Sequence, residues 1–281
     1  TNGIKAIQLD LNLGYRDFLV NKIVSPGLTL DIKRFILRGI LRKFFNKKLK
    51  RRYYSGYLLR LSDEVSLSLP YDNNSNSSFY FTERLLSSND LFRYLEDSQE
   101  NTFLQFYEKQ NVTRFLKKEA VDLLGISIIS PAQAIAGITL GLLVKKNLPQ
   151  VHVSIGGQWP TLYRKEIIKR QDLFRCFDSM IVFEGETPLC NLVKALKNKR
   201  PQKIPNVILK DSSLDYSFNR TEENMDSLPA PDFEGLPLSG YFGSQGSSRS
   251  LTFETSRGCY WSKCAYCVDL PLPKPSYRVK S

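Results

Sequence analysis

Histidine is almost missing from this chain: His152 is the only one among 281 residues. A metal centre built from imidazoles is therefore excluded. Cysteine is scarce too, five in all and an odd count in a large chain. A disulfide-stapled fold, which depends on many paired cysteines, does not fit. No apolar run reaches the length that crosses a bilayer, and no signal-peptide pattern follows Thr1. No internal repeat is visible. Acidic residues are outnumbered by basic ones, 28 to 40, which leaves a net charge of +12. Hydrophobic residues make up 42%, enough core for one large or two ordinary domains. The chain opens on Thr rather than Met, so it reads as a fragment begun inside a reading frame.

What cysteine there is lies close together. Cys259, Cys264 and Cys267 fall within nine residues, in Glu254-Thr-Ser-Arg-Gly-Cys-Tyr-Trp-Ser-Lys-Cys-Ala-Tyr-Cys267. Thiolates this close belong on one metal centre. Three of them would leave one iron of a four-iron cluster without a protein ligand, and an open iron can bind a small molecule and pass it an electron. Structural zinc would need a fourth ligand. Cys176, Cys190 or Asp269 could supply it, although nothing in their spacing recommends them. Clustered reduced thiols imply a reducing, cytoplasmic compartment.

The same run resembles the cluster loop of the radical S-adenosylmethionine enzymes. The matching pieces are the strand-like Leu251-Thr-Phe-Glu-Thr255, then Ser256-Arg-Gly-Cys259, then Cys264-Ala-Tyr-Cys267. The resemblance implies a [4Fe-4S] cluster on Cys259, Cys264 and Cys267, with S-adenosylmethionine on the fourth iron and Tyr266 near its adenine. The commonest family spacing puts three residues between the first two cysteines. Here there are four, as in the longer variants. The implied chemistry is reductive cleavage of S-adenosylmethionine to a 5'-deoxyadenosyl radical, fed by an electron donor such as flavodoxin or ferredoxin.

Upstream, apolar strands alternate with helical patterns. Val121-Asp-Leu-Leu-Gly-Ile-Ser-Ile-Ile129 reads as a buried strand ending at Ser130-Pro131, and Ala132 to Lys146 as a helix. Gln150-Val-His-Val-Ser-Ile155 is a second strand closed by Gly156-Gly157, and Leu162 to Phe174 a helix. Ser179-Met-Ile-Val-Phe183 is a third, ending in Glu184-Gly-Glu186. Thr187-Pro188 then starts a helix through Leu196, and Ile204-Pro-Asn-Val-Ile-Leu209 is a further short strand. Ile4-Lys-Ala-Ile-Gln-Leu9 is expected to be the opening strand. The alternation predicts an α/β fold, a doubly wound parallel sheet covered by helices on both faces.

Ligands of such sheets sit outside the carboxyl ends of the strands. Three strand ends here carry small or polar residues: 127–130, 156–158 and 184–187. A glycine pair at such a turn either lets the backbone approach a ligand or simply makes the turn tight. In order, these elements resemble the cobalamin-binding domain that precedes the barrel in one class of radical S-adenosylmethionine enzymes. Ile126-Ser-Ile-Ile-Ser130 is similar to its serine motif and Ile155-Gly-Gly157 to its glycine pair. Val182-Phe-Glu-Gly-Glu186 and Leu228-Pro-Ala-Pro-Asp232 are similar to the signatures that follow. The resemblance implies a Rossmann-like cobalamin-binding domain followed by the start of a β/α barrel. Ser127 and Ser130 would contact the nucleotide tail, Gly156 and Gly157 would line its channel, and Glu184, Gly185 and Glu186 would belong to the cofactor site. Asp10-Leu-Asn-Leu-Gly-Tyr15 lacks the histidine that ligates cobalt in methionine-synthase-type domains, and His152 reads as a satisfied core residue. The implied reaction is methyl transfer to an unactivated carbon, with rearrangement or cyclisation as alternatives. The substrate, a small molecule or a peptide, is not readable.

The expected organisation is 1–210 for the cobalamin-binding-like domain, with a basic helical insertion at about 20–120. A linker follows at 211–250, and the first strand and cluster loop of a truncated barrel at 251–281. Lys33 to Arg52 holds ten basic residues interleaved with apolar ones at helical steps. That helix could meet nucleic acid or an anionic membrane. A solvated face is the simpler reading. A zinc-binding or nucleic-acid-binding module without catalysis stays open as the alternative class.

Overall fold

The computed structural model describes residues 4–11, 14, 15, 18, 88–129, 131–198, 203–210, 220–234, 236, 251, 253–264, 267 and 276–281. The basic stretch 33–52, Ser130 and Tyr266 lie outside the described residues. The chain divides into two compact units, Thr1–Ser78 with Ala230–Phe253, and Phe79–Pro229 with Glu254–Ser281. In the first unit, residues 4–9 have no strand partner, and Ile4, Ile7 and Leu9 are exposed. The expected opening strand is not formed there.

The second unit opens with three helices, α1 (Ser88–Glu96), α2 (Thr102–Lys109) and α3 (Val112–Lys118). The sheet then runs β1 (Leu123–Ser127), β2 (His152–Gly156), β3 (Ser179–Ile181) and β4 (Val207–Leu209), in that order. β1, β2 and β3 are parallel neighbours. α4 (Pro131–Asn147) crosses from β1 to β2. α5 (Gln158–Leu162), α6 (Arg164–Lys169) and the 3-10 turn Gln171–Arg175 lead from β2 to β3, and α7 (Glu186–Lys197) follows β3. The single helix expected from 162 to 174 is broken at Tyr163, whose backbone leaves helical geometry between α5 and α6.

α4 is apolar nearly all round: Ala134, Ile135, Ile138, Leu140, Leu142 and Val144 are all buried. Such a helix must be covered on every side. It packs on β1 and β2 with one side and on α1, α2 and α3 with the other. Buried Asn101 joins these layers. Its Oδ1 accepts the Phe103 and Leu104 N–H groups, capping α2, while its Nδ2 donates to Thr139 Oγ1 at 3.0 Å. On the opposite sheet face, Ile181 packs with Leu192 of α7 and with Ile204. Adjacent strand residues point to opposite faces, so α4 and α7 lie on opposite faces of the sheet, with α7 covering the β3 side.

Two departures have local causes. β4 is antiparallel to β3, where a parallel strand was expected. Within the run 204–209, the Val207 N–H bonds back to Ile204 O and Asn206 takes a positive φ of 60°. That turn reverses the chain before β4 begins. After the linker, the expected barrel strand at 251–255 is not a strand among the described residues. Instead, β5 (Ser256–Arg257) pairs antiparallel with β6 (Arg278–Val279), and the Lys280 N–H donates to Thr255 O at 2.8 Å. Part of the expected linker is packed as well. The turn Met225–Ser227 buries Met225, and Asp226 takes hydrogen bonds from Ser281.

Gly157 is a packing requirement of this layout. It has φ +102°, and a Cβ there would lie 2.5 Å from Ile128 O. Its own carbonyl accepts from Thr161 Oγ1, which in turn accepts the Phe183 N–H at 2.9 Å. One hydroxyl thus ties the ends of β2 and β3. A bulky residue at 157 would strike the Ile128 backbone just past β1. Gly157→Val is expected to destabilise the unit by about 2 kcal/mol or more. Chemical denaturation of the two proteins checks this, and an unchanged midpoint would contradict it.

Candidate functional site

The carboxyl ends of β1, β2 and β3 come together at one edge. Ser127 and Gly156 are register partners across β1 and β2, and the Ile128 N–H donates to Gly156 O at 2.8 Å. Ser127 is exposed, and a Cβ built on Gly125 would meet nothing within 4 Å, so the β1 face is open there. That openness leaves room for a ligand group beside Ser127. Ser154 is buried on the same face as Gly156, and its hydroxyl has no partner among the described residues.

The end of β3 is built differently. Phe183 has a φ of 63°, uncommon for a bulky residue and a mark of strain held by its surroundings. The guanidiniums of Arg164 and Arg220 lie 5.0 and 4.9 Å from its ring centroid. The next carboxylate, Glu184, is largely buried. Its Oε2 accepts Arg257 Nη1 at 3.1 Å, Arg278 Nη1 at 3.1 Å and the Glu223 N–H at 2.8 Å. Its Oε1 takes Arg278 Nη2. Glu186 accepts Arg257 Nη2, and Glu254 accepts Arg257 Nε at 2.9 Å. Gly185 sits between these two glutamates and precedes α7 as its N-cap.

The resemblance placed Glu184, Gly185 and Glu186 in a cofactor site, and the structure directs both carboxylates onto arginines. Arg278, Arg220 and Glu222 belong to the same network and carry no sequence signal. Arg257 lies inside the cysteine run, but its partners at the sheet are more than seventy residues upstream.

Burial pushes the Glu184 carboxyl up, but bonds from Arg278, the Glu223 N–H and Arg257 outweigh it and hold the group below the ordinary carboxylate range. Glu186 is also held low, burial being outweighed by Arg257.

Cys259, Cys264 and Cys267 are free and half-buried on the loop after β5. Gly258, at φ +84°, makes the turn into Cys259, and a Cβ there would lie 2.3 Å from Ser276 O. Cys259 Sγ accepts the Ser262 N–H at 3.4 Å, the kind of bond that tunes cluster sulfurs. The donor set suits a thiolate-ligated cluster. Among the described residues, no three His, Cys, Asp or Glu side chains are gathered closely enough to hold a metal ion.

The remaining cysteines are apart from this loop. Cys176 is buried, and burial pushes its thiol up to about 12. Cys190 is exposed on α7. His152 stands at the amino end of β2, away from the ligand edge, with Nε2 2.9 Å from Ser179 Oγ. Burial lowers its pKa, against the pull of Asp178. No helix among the described residues is long and apolar enough to cross a membrane.

Two measurements follow from these environments. Alkylation of the metal-free native protein near neutral pH is expected to modify Cys190 and spare Cys176, whose thiolate is suppressed. Rapid modification of Cys176 would contradict its burial. Acid is expected to loosen the β5–β6 ladder. A carboxylate with a depressed folded pKa contributes stability above its unfolded pKa and loses it as pH falls through its folded value. Amide exchange in 255–257 and 278–280, corrected for intrinsic rates, should therefore rise below about pH 4 before that of β1 and β2. Simultaneous loss of protection throughout would count against it.

No protein-family model matches the chain, and no solved structure matches it. Over 138 residues it is 25% identical to the anaerobic magnesium-protoporphyrin IX monomethyl ester cyclase of Synechocystis sp. (strain ATCC 27184 / PCC 6803 / Kazusa), a match covering 46% of this chain and 25% of that protein. The chain thus spans about a quarter of the length of the curated relative it matches.

Proposed function

We propose that this chain belongs to a radical S-adenosylmethionine enzyme that carries a cobalamin-binding domain. The observation that supports it best is a loop of three free, half-buried cysteines tied through Arg257 to the carboxyl edge of a parallel sheet. Ligands of open α/β sheets sit at that edge, and a thiolate centre beside it would face them. Cys259, Cys264 and Cys267 would hold a [4Fe-4S] cluster, and Tyr266 would pack on the adenine of S-adenosylmethionine. Ser127, Ser130 and Gly156 would border the cobalamin tail, where the β1 face is open. Gly157 would support the same edge by letting the β2 turn lie against β1.

When bound, the cluster supplies a low-potential electron and cobalamin a methyl group, while the protein binds and orients them. The favoured outcome is methyl transfer to an unactivated carbon, with flavodoxin or ferredoxin as electron donor in a cytoplasmic setting. A second reading, ring closure on a substrate carbon, is supported by the likeness to a protein named as an anaerobic cyclase.

Anaerobic reconstitution of the full-length protein with iron and sulfide is expected to give cluster absorption. Replacing Cys259, Cys264 or Cys267 by alanine should each abolish it, whereas Cys176→Ala and Cys190→Ala should not. Stoichiometric zinc without cluster absorption would contradict the proposal. Spectroscopic titration of the same protein should show cobalamin binding that His152→Ala leaves spectrally unchanged. Failure to bind any cobalamin form would remove the cobalamin part.

A further inference from the structure

Arg257 presents three nitrogens, and each meets a different carboxylate. Nε bonds Glu254 at 2.9 Å, Nη1 bonds Glu184 at 3.1 Å, and Nη2 bonds Glu186. A planar guanidinium engaged in three directions is fixed in orientation as well as in place, which a lysine could not match. The Arg257 side chain is only 17% exposed and that of Glu184 11%, so solvent does little to loosen the pair. Buried ion pairs of this kind add little net stability. Their best-attested use is to set register.

What they register here is the first cysteine. Arg257 and Cys259 are separated by one residue, so their Cα atoms can be no more than about 7 Å apart. That residue, Gly258, is pinned against Ser276 by a close approach that leaves no room for a Cβ. Across the β5–β6 ladder, Arg257 pairs with Arg278, and Arg278 grips the same Glu184 carboxylate with both terminal nitrogens. Two adjacent strands are therefore anchored on one acid at the end of β3. Glu184 is itself fixed by the Glu223 N–H and, through its backbone carbonyl, by Asn206 Nδ2 at 3.1 Å.

We propose that Glu184 and Glu186 are positioning residues for the first thiolate ligand: through Arg257 they hold Cys259 in register with the carboxyl edge of the sheet. The proposal rests on the cysteines holding an iron–sulfur cluster, and it gives the Glu-Gly-Glu turn a role that cofactor contact does not require. It also has an electrostatic consequence. Arg220, Arg257 and Arg278 face Glu184, Glu186, Glu222 and Glu254, three positive groups against four negative. Glu184 and Glu186 thus bring negative charge onto Arg257, two residues from Cys259. Local charge is one of the levers on cluster potential.

The test compares the full-length protein with the double variant Glu184→Gln/Glu186→Gln and with Arg257→Lys. In the cluster-free state, amide exchange of 255–262 is expected to accelerate about tenfold or more in both variants, with β1 and β2 still protected. After reconstitution, both should show an altered low-temperature paramagnetic resonance signal. The double variant, having lost two negative charges, should have its midpoint potential moved to less negative values. Unchanged exchange in folded variants would overturn the proposal. So would faster exchange with an unaltered cluster signal and potential, which would make the clasp structural only. If the double variant does not fold, Arg257→Lys decides the matter alone, because it keeps the charge and loses the three-way grip. If the unaltered protein takes up no iron, the proposed function fails, and with it the claim on the cluster. Exchange then still decides whether the clasp orders the loop.

Discussion

One buried carboxylate organises the site. Glu184 sits where β3 ends and accepts hydrogen bonds from two arginines of the cysteine segment and from the backbone of Glu223. A two-residue ladder such as β5–β6 is marginal in water on its own, and this carboxylate joins the Ser276–Glu222 and Ser281–Asp226 bonds that hold it. With Glu184, the loop that carries three thiols takes its bearings from a sheet more than seventy residues upstream. The strained backbone at Phe183 is part of the same device. It immediately precedes Glu184, and the Thr161 bond to its N–H and the two guanidiniums over its ring hold it in place.

The sheet edge and the cysteine loop contribute different things. At β1 and β2 the residues are small and the face is open, with Ser127 exposed and Gly125 bordering empty space. Past the end of β3 the residues are charged and paired across the fold. The first arrangement suits a ligand and the second suits attachment of another segment. The two glycines at the end of β2 divide in the same way. Gly156 has only ordinary van der Waals room around a built Cβ, whereas Gly157 is demanded by the Ile128 backbone.

Much of this was legible in the sequence because it depends on local pattern. The three parallel strands, the helices after the first and third, and the placement of residues 127, 156 and 184 at or just past strand ends follow from apolar runs closed by small or polar residues. What was not legible depends on long-range pairing. α4 is covered on both sides because α1 to α3 pack against it, and its own residues could not reveal which helices would do so. The reversal before β4 depends on Asn206 adopting positive φ, and its amide bonds Glu184 and Thr221 across the fold. Arg278 gave no signal at all, since only the folded chain brings it beside a glutamate ninety-four residues earlier.

The proposal of an open iron is tested most directly by Mössbauer spectroscopy of the full-length protein loaded with isotopically labelled iron, recorded with and without S-adenosylmethionine. Three thiolate ligands on a four-iron cluster predict that about a quarter of the iron signal shifts when S-adenosylmethionine is added, while the rest stays in place. A spectrum that S-adenosylmethionine leaves unchanged, with the cluster intact, would contradict an iron open to that ligand.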